Sequence, residues 1–437
     1  MPTAIAPPAT SVSQSLLARF QQVRQATLAL VAPLTPEDLM VQSCPEASPA
    51  KWHLAHTSWF YETFILSEFL PNYQAFHPDF RWLFNSYYNA LGDMPEKKLR
   101  ASFSRPPLAA ILAYRAHVDA AIARLLEAQD SPSEEALRRL TLGLEHEQQH
   151  QELIATDIKH ALFTNPLHPA YIEQPASTKT SEVIAPAIQW IPLEGGLTQI
   201  GVNASSDITK PFAFDNESPR HTVYLEPYAL ASRLVTVAEY LAFLDDRGYT
   251  RPELWLSEGW STMRAEAWQA PLYWQRDQAA KSGWSIYTLH GMVPLEDLSE
   301  TPVCHLSFFE ADAYARWAGC RLPTEFEWEH AASQSCVTAS SNLIETSNLH
   351  PTPAPSLPGL QQLFGDVWEW TASGYSGYPG YKPLPGALGE YNGKFMSSQV
   401  ILRGGSCVTP ASHIRATYRN FFSPGTRWQF SGLRLAK

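Results

Sequence analysis

The sequence predicts an α + (α+β) protein, with an N-terminal four-helix bundle followed by an irregular α+β domain that is rich in loops. Residues 11–162 carry apolar residues at helical spacing. A Pro-, Ser- and Thr-rich stretch follows, and beyond it short strand-like runs alternate with Gly, Pro and Trp. We therefore expect a bundle over 1–164, a linker over 165–186 and a second domain over 187–437.

Four segments of the first half have the pattern of long helices. Proline or capping residues mark three of the helix starts, at Ser48-Pro49, at Pro106-Pro107 and at Ser131, which has capping-box spacing to Glu134. One long crossover, about residues 71–105, separates the second helix from the third. This arrangement predicts a four-helix bundle, an architecture that builds metal sites from inward-facing side chains.

The second half has a different pattern. Strand-like runs such as "HTVYLEPYAL" and "QVILRGG" are interrupted by two helical stretches, "VTVAEYLAFLDD" and "FFEADAYARWAGC". The alternation of short strands, turn residues and short helices predicts the irregular α+β domain.

Composition limits the classes of partner. The formal net charge is −11, from 43 acidic against 32 basic residues, and Lys and Arg form no run. Nucleic acid and anionic membranes are therefore poor partners. The N-terminus does not resemble a signal peptide, and no apolar run approaches the roughly 20 residues that span a bilayer. Five scattered cysteines without a C-x-x-C motif favour reduced thiols, so we expect a soluble cytoplasmic protein.

A histidine pair in the fourth predicted helix indicates a metal site. His146 and His150 belong to an H-E-x-x-H motif, and residues four apart lie on one helical face. His53 and His56 lie on the apolar and aromatic second helix, where an unpaired imidazole is costly and metal ligation would satisfy it. One of these two histidines with the pair would make a three-histidine site. The nitrogen donors suit zinc, iron, copper or nickel.

The same motif occurs in zinc peptidases, which use its glutamate as a base. Those enzymes turn the chain before they supply a third ligand. Here Glu152 falls on the wrong face, and Asp157 and His160 continue the same uninterrupted helix. The peptidase interpretation is therefore disfavoured, although a zinc hydrolase with Glu147 as base remains an alternative.

The second half contains a series of phrases in a fixed order: "WIPLEGGLTQIG", "ESPRHTVYLEPYAL", "TPVCHLSFFEADAYARWAGCRLPTEFEWEHAA", "FGDVWEWT", "ILRGGS" and "SGLRLA". Together they resemble the formylglycine-generating-enzyme-type domain, which has a C-type-lectin-like fold. The enzymes that generate formylglycine hold copper with two cysteines after the R-G-G-S phrase. Here Cys407 is one residue off that spacing and no second cysteine follows, which argues against that activity.

The first half adds "WHLAHTSWFYE", "LFNSYYNALG" and "HEQQHQEL". A DinB-like four-helix bundle with these phrases, joined to the second domain, resembles the ergothioneine-type sulfoxide synthases. These nonheme iron enzymes couple a thiol to a histidine-derived imidazole with O2. The resemblance implies Fe(II) held by His56, His146 and His150. His53 occupies a position where relatives often carry Asp, and it would support a ligand rather than bind the metal.

The resemblance also implies a tyrosine that donates a proton during the reaction with O2, a role that suits a phenol. The N-S-Y-Y-N phrase points to Tyr88 as the acid and Tyr87 as its partner. Another branch of the family uses a tyrosine of the second domain, so Tyr378 and Tyr381 remain candidates.

By the same resemblance, three positions would bind the imidazole substrate. Gln149 would orient the imidazole, and Asn420 would hydrogen-bond the substrate carboxylate. Phe421 would face its trimethylammonium group, since a quaternary cation is attracted to an aromatic face. Phe421 and Phe422 stand where other branches place Trp-Asp, so the amine of the thiol substrate loses that acidic partner here.

The thiol donor is less well defined by the sequence. Branches that take γ-glutamylcysteine carry arginines shortly after the tyrosine pair, and here Asp93 and Glu96 occupy that stretch. Acidic residues would repel a second carboxylate, which favours free cysteine. Its single carboxylate would be bound by Lys97, Arg100 or Arg105.

The expected reaction joins cysteine to Nα-trimethylhistidine (hercynine) at the imidazole C2 with O2 and Fe(II), giving hercynyl-cysteine sulfoxide. The same reaction with γ-glutamylcysteine, and ovothiol-type coupling to histidine, are the near alternatives. More distant alternatives are the zinc hydrolase and a lectin-like binding module without a bound metal. The sequence leaves open a homo-oligomer and a structural Ca(II) ion in the loops, as in some relatives.

Overall fold

The computed structural model describes residues 9–128, 131–173, 183–205 and 207–437. By their contacts the residues form two compact units, and the chain passes between them more than once. The first unit comprises Met1–Ala161, Ala204–Phe214 and Pro383–Tyr391; the second comprises Leu162–Asn203, Asp215–Lys382 and Asn392–Lys437. Residues 174–182 of the expected linker lie outside the described residues. The predicted fold class is confirmed, while the domain boundaries stay a prediction.

Helices form most of the first unit. They are α1 (Ala9–Val31), α2 (Ala50–Tyr61), α3 (Ser67–Phe69), α4 (Phe80–Leu83), α5 (Leu108–Glu127) and α6 (Glu134–Thr164). The four long ones, α1, α2, α5 and α6, are the four predicted helices. A π-helical turn, Glu62–Leu66, links α2 to α3. Among the described residues, no helix is long and apolar enough to cross a membrane.

Helix α2 is the centre of the bundle. Every residue from Ala50 to Tyr61 is buried, the polar ones as well as the apolar and aromatic ones. Its polar side chains therefore need partners inside the protein. His53 and His56 are the two imidazoles among them.

Two predicted helix caps are wrong. The Ser48 hydroxyl accepts a hydrogen bond from Arg100 at 2.9 Å and does not cap α2. At the start of α6 the capping side chain is Ser133 and not Ser131, because Ser133 directly precedes the first helical residue. Its hydroxyl accepts the backbone N–H of Ala136 at 3.2 Å.

The crossover between α3 and α5 is anchored by one buried carboxylate. Glu62 accepts hydrogen bonds from the hydroxyls of Tyr73 at 2.6 Å and Tyr114 at 2.7 Å, and from the backbone N–H of Phe76 at 3.2 Å. Since three donors hold one group, the start of the crossover is fixed relative to α2 and α5. Its later part carries Phe84 and the predicted tyrosine pair.

In the described part of the second unit, the strands form four small sheets and are accompanied by four short α-helices. The strands are β1 (Trp190–Leu193), β2 (Gly196–Ile200), β3 (His221–Leu225), β4 (Tyr228–Ala231), β5 (Trp274–Arg276), β6 (Trp284–Thr288), β7 (Gly291–Pro294), β8 (Trp368–Gly374), β9 (Val400–Arg403), β10 (Asn420–Phe422) and β11 (Ser431–Gly432). They pair as β1-β4, β2-β3, β5-β6-β7 and β10-β9-β8-β11, and only β11 is parallel to its neighbour, β8.

The helices of this unit are α7 (Val237–Asp245), α8 (Ser257–Ala265), α9 (Phe308–Trp317) and α10 (Glu325–Ala332). Three of them begin with a capping box, in which the cap side chain and the N3 glutamate satisfy each other's backbone N–H groups. The three pairs are Thr236 with Glu239, Ser307 with Glu310 and Thr324 with Glu327. The sequence predicted α7 and α9, and the structure adds α8 and α10.

Candidate metal centre

Three histidines meet inside the first unit. His56 comes from α2, and His146 and His150 lie one helical turn apart on α6. All three are buried, and one ring nitrogen of each lies within 4.8 Å of the others. The Nε2 atoms of His146 and His150 are 3.1 Å apart. The structure thus brings together the three predicted ligands.

His56 is held with one nitrogen toward the centre. Its Nδ1 donates to the carbonyl oxygen of Phe84 at 2.6 Å, and its buried Nε2 has no hydrogen-bond partner. The ring lies between Trp52 and Trp59, with centroid distances of 4.5 and 5.2 Å. Because Nδ1 carries the proton, the lone pair of Nε2 is available to a metal ion.

His150 is oriented through His53 and Asp157. His53 Nε2 donates to the Asp157 carboxylate at 3.0 Å, and the Nδ1 atoms of His53 and His150 are 2.7 Å apart. In a neutral His53 ring the donor at Nε2 makes Nδ1 an acceptor. His150 therefore donates from Nδ1 and keeps the lone pair of Nε2 toward His146. The geometry agrees with the predicted supporting position of His53.

The charge state of the cluster also suits a metal. Burial lowers the pKa of His56, His146 and His150 well below the usual value, so all three rings are neutral. Neutral imidazole is the form that binds metal ions. Two nitrogens about 2.1 Å from one ion lie roughly 3 Å apart when the angle between them is near 90°. The 3.1 Å between His146 and His150 fits two neighbouring ligands of one ion.

Glu147, the glutamate of the H-E-x-x-H motif, has a different environment. Its fully buried carboxylate lies 3.0 Å from Arg24 and 2.9 Å from Arg115, and it accepts the Thr27 hydroxyl at 2.8 Å. The two guanidinium groups lower the pKa of Glu147 to about 2, even though burial opposes ionisation. A carboxylate held in this way is a poor general base, which argues against the hydrolase alternative.

The tyrosine pair lies in the crossover of the same unit. The Asn85 side chain makes two hydrogen bonds of 3.1 Å with the backbone of Tyr88. Its Oδ1 accepts the Tyr88 N–H, and its Nδ2 donates to the Tyr88 carbonyl oxygen. The Tyr87 and Tyr88 rings are stacked with centroids 4.6 Å apart, and their hydroxyls lie 3.5 Å apart. The Tyr88 ring is 5.5 Å from Trp59, which stacks on His56. Burial raises the pKa of Tyr88 well above its usual value, so the phenol keeps its proton.

The structure adds a tyrosine that sequence reasoning missed. Tyr391 donates its hydroxyl to Gln149 Oε1, and its ring centroid lies 5.6 Å from that of His146. The Phe214 ring stacks on its other side at 5.5 Å. No local signal in "LGEYNGKF" distinguishes Tyr391 from the other tyrosines, because its partners are distant along the chain.

The three cations predicted to bind the thiol substrate differ in exposure. Arg100 is 5% exposed, stacks on Trp52 with its guanidinium carbon 3.5 Å from the ring centroid, and donates to Ser48. Among the described residues it has no ion pair. Burial lowers the pKa of Arg100 to about 9, which leaves it protonated at neutral pH. Arg105 is exposed, and Lys97 donates to the carbonyl of Glu46.

A small cavity of about 10 Å³ lies beside Arg100 and is lined by Lys51, Trp52 and Phe84 among others. That volume holds roughly one water molecule. Asp93 and Glu96, which were expected to repel a second carboxylate, are both exposed, and Glu96 pairs with Lys98 at 2.6 Å.

The second-domain tyrosine candidates lie in the second unit. Tyr378 is buried and accepts from Arg403 at 3.1 Å, and the Arg419 guanidinium lies 4.0 Å from its ring centroid. Tyr381 donates to Asp215 at 3.0 Å. Both phenols are committed to charged partners, and their assignment as proton donors stays a prediction.

The predicted substrate loop forms β10 of the same unit. Asn420 Oδ1 accepts the N–H of Phe421 at 2.9 Å, and the Phe421 ring stacks on Tyr375 at 4.1 Å. Phe422 packs edge-on against Trp428 at 5.6 Å. The roles of these residues in binding stay predictions.

Comparison with known proteins adds independent findings. Residues 19–154 match the DinB superfamily, and residues 175–437 match the sulfatase-modifying factor enzyme 1-like domain. The chain is 31% identical to a hercynine oxygenase of Mycolicibacterium smegmatis, over 97% of this chain and 98% of the relative. A hercynine oxygenase of Mycobacterium tuberculosis gives the same identity and coverage. The ergothioneine biosynthesis protein 1 of Schizosaccharomyces pombe is 27% identical over 56% of this chain and 31% of its own length.

Proposed function

Because the chain belongs to the hercynine oxygenase family, oxygenases of ergothioneine biosynthesis, we propose that it joins cysteine to hercynine at the imidazole C2 and oxidises the sulfur. The observation that carries the proposal is the cluster of three buried, neutral histidines on α2 and α6. A cluster of neutral nitrogen donors from one side leaves other positions of an ion for substrates.

The proposed reaction balances with O2 as the only oxidant. The S–H bond of cysteine and the C2–H bond of hercynine break, and a C–S bond and an S–O bond form. One oxygen atom of O2 ends in the sulfoxide, and the other leaves as water with the two hydrogens. The organic substrates together lose four electrons, which O2 accepts.

His56, His146 and His150 would hold Fe(II), and the unpartnered Nε2 of His56 fits this role. When bound, the iron would supply a site where thiolate, imidazole and O2 meet, together with the one-electron chemistry that O2 requires. The protein's part is to keep the three imidazoles neutral and aimed inward. The Phe84 carbonyl and the His53–Asp157 pair serve that purpose.

Tyr88 would deliver the proton that O2 reduction consumes. Its pKa is raised by burial, so it stays protonated until a stronger base forms next to it. Tyr87 would return a proton through the hydroxyl pair, and the Asn85 bonds keep the Tyr88 backbone in place. Tyr378 and Tyr381 are second candidates for the same step.

Gln149 would orient the imidazole of hercynine, Asn420 would bind its carboxylate, and Phe421 would face its trimethylammonium group. For the thiol substrate, Arg100 is the strongest candidate of the three cations, because it is a buried charge without an ion pair among the described residues. A substrate carboxylate would supply the missing counter-charge. Cysteine carries one carboxylate, which one cation can bind, whereas γ-glutamylcysteine carries a second.

The test is a product assay by mass spectrometry. Protein loaded with Fe(II) without air receives hercynine and O2, with cysteine or γ-glutamylcysteine in parallel tubes. We expect the sulfoxide adduct with cysteine. An adduct with γ-glutamylcysteine alone would contradict the choice of thiol but keep the reaction class. Unconsumed O2 and no adduct in both tubes would contradict the proposed function.

Two arginine variants refine this assay. R100A should raise the KM for cysteine, and R105A is the matched control because Arg105 is exposed. A charge-assisted hydrogen bond contributes about 1.5–3 kcal/mol, which corresponds to roughly a 10- to 150-fold change in KM. Equal effects of R100A and R105A would contradict the assignment of Arg100.

A further inference from the structure

Glu390 connects the segment Pro383–Tyr391 to the turn that follows the tyrosine pair. Its carboxylate accepts the backbone N–H of Ala90 at 2.8 Å and that of Asn89 at 3.1 Å. These N–H groups belong to the residues directly after Tyr88, in the short helical turn Asn89–Leu91. One carboxylate thus fixes the C-terminal side of the tyrosine pair, as Asn85 fixes its N-terminal side.

Tyr391, the next residue, connects the same segment to α6. Its hydroxyl donates to Gln149 Oε1, so the hydrogen bond sets which end of the amide turns toward Tyr391. Its buried ring packs against His146 and Phe60, with centroid distances of 5.6 and 6.5 Å. The Phe214 ring stacks on the Tyr391 ring with a centroid distance of 5.5 Å. The ring and the hydroxyl are therefore both fixed.

We propose that Glu390 and Tyr391 are two positioning residues of the reaction, with separate tasks. Glu390 holds the turn that carries Tyr88, and Tyr391 holds the amide of Gln149 in one orientation. Neither residue needs to touch a reacting atom for this role. The inference rests on the proposed function, in which Tyr88 gives a proton and Gln149 orients the imidazole.

The two tasks have different kinetic consequences. A displaced Tyr88 slows the proton transfer but leaves the binding of the imidazole substrate intact, so loss of Glu390 should lower kcat at constant KM. A Gln149 amide without the hydrogen bond from Tyr391 is held less firmly and loses part of its contribution to binding, so loss of the Tyr391 hydroxyl should raise the KM for hercynine. A segment that served only stability would change both constants in the same way for both variants.

The experiment compares E390A, E390Q and Y391F with wild type and with Y224F, whose tyrosine is exposed in the second unit. General acid catalysis contributes about 10²–10⁴-fold, and partial displacement of the acid should cost less than this full contribution. We expect E390A to lower kcat about 10- to 100-fold. E390Q keeps a carbonyl oxygen for the Ala90 N–H and should recover most of this loss.

For Y391F we expect the KM for hercynine to rise about 2- to 10-fold, the range that corresponds to one hydrogen bond, with kcat within twofold of wild type. Calorimetric titration of hercynine into metal-free protein gives a second readout, and its Kd should rise by the same factor. Hydrogen exchange of a peptide covering residues 85–92 should speed up in E390A and not in Y391F. Y224F should match wild type in all measurements.

Three results would overturn the inference. The first is a parallel change of kcat and KM in both variants, and the second is unchanged exchange in residues 85–92 of E390A. The third is a collapse of kcat in Y391F with an unchanged Kd for hercynine, since Tyr391 would then act on the reaction directly. A wild-type protein that binds hercynine but makes no adduct contradicts the proposed function instead, and the exchange data still test the role of Glu390.

Discussion

Replacement of Glu147 by glutamine should destabilise the helical unit strongly. Glu147 is fully buried between Arg24 and Arg115, whose nitrogens lie 3.0 and 2.9 Å from its oxygens. The amide of E147Q removes the negative charge and leaves two guanidinium groups in the interior. The remaining acid near them, Asp119, pairs with Arg24 at 2.7 Å and is partly exposed.

Two independent estimates give the loss in the free energy of unfolding that E147Q should cause. The pKa of Glu147 is lowered from 4.5 to about 2, and a difference of about 2.5 units corresponds to roughly 3 kcal/mol at 1.36 kcal/mol per unit. Removing one partner of a buried ion pair costs about 3–5 kcal/mol in measured cases. Both estimates therefore predict that E147Q lowers the free energy of unfolding by about 3 kcal/mol or more.

Hydrogen exchange followed by mass spectrometry suits a chain with two units, because it reports on each helix separately. A loss of about 3 kcal/mol lowers the protection of α6 amides by roughly a hundredfold at neutral pH. The control is E135Q on the same helix, where Glu135 pairs with Arg138 and Arg139 at the surface. Exposed pairs contribute about 0–1 kcal/mol. If E147Q changed α6 protection no more than E135Q does, the charge argument would be refuted.

Three further predictions concern other groups. D157N removes the charge that orients His150 through His53, and Fe(II) affinity measured by titration should fall about 10- to 100-fold, as for other supporting residues of metal ligands. Burial raises the pKa of Asp366 from 3.8 to about 6, so its stabilising contribution is complete below pH 3.8 and is lost as pH rises through 6. Wild type should lose roughly 3 kcal/mol of local stability over that interval and D366N should not, as measured by hydrogen exchange corrected for pH. F421L should weaken the binding of hercynine relative to histidine by about 2- to 30-fold in calorimetric titrations, because the trimethylammonium group would lose the aromatic partner that we propose for it.

Local patterns in the sequence were sufficient to predict the four long helices of the first unit and a metal site on two of them. His146 and His150 share a face because residues four apart do so in any α-helix. The pattern of α2 indicated that one of its two histidines belongs to the same centre, because an imidazole among apolar and aromatic residues needs a partner, and the family resemblance selected His56 over His53. The family resemblance then implied which reaction these residues serve. None of these steps required knowledge of contacts between distant parts of the chain.

The site residues that the sequence did not reveal depend on contacts between distant parts of the chain. Tyr391 and Gln149 are 242 positions apart, and Glu390 and Ala90 are 300 positions apart, so no local spacing relates them. The cap at Ser133 was missed for a smaller reason, since Ser131 has the capping-box spacing to Glu134, whereas three residues after Ser133 stands Ala136. Arg100 and Arg105 could not be distinguished from the sequence, because the burial of Arg100 and its contacts with Trp52 and Ser48 depend on the fold.

The H-E-x-x-H motif itself shows why a short pattern does not determine a reaction. Its two histidines are placed by the helix alone, so they mark a metal centre in proteins of different chemistry. The function of its glutamate depends on the helices that pack against it. Here α1 supplies Arg24 and α5 supplies Arg115, and together they make Glu147 a structural anion. Gln149, two positions later, accepts a hydrogen bond from the Tyr391 hydroxyl instead, and it is the residue of this helix that we propose to orient the substrate.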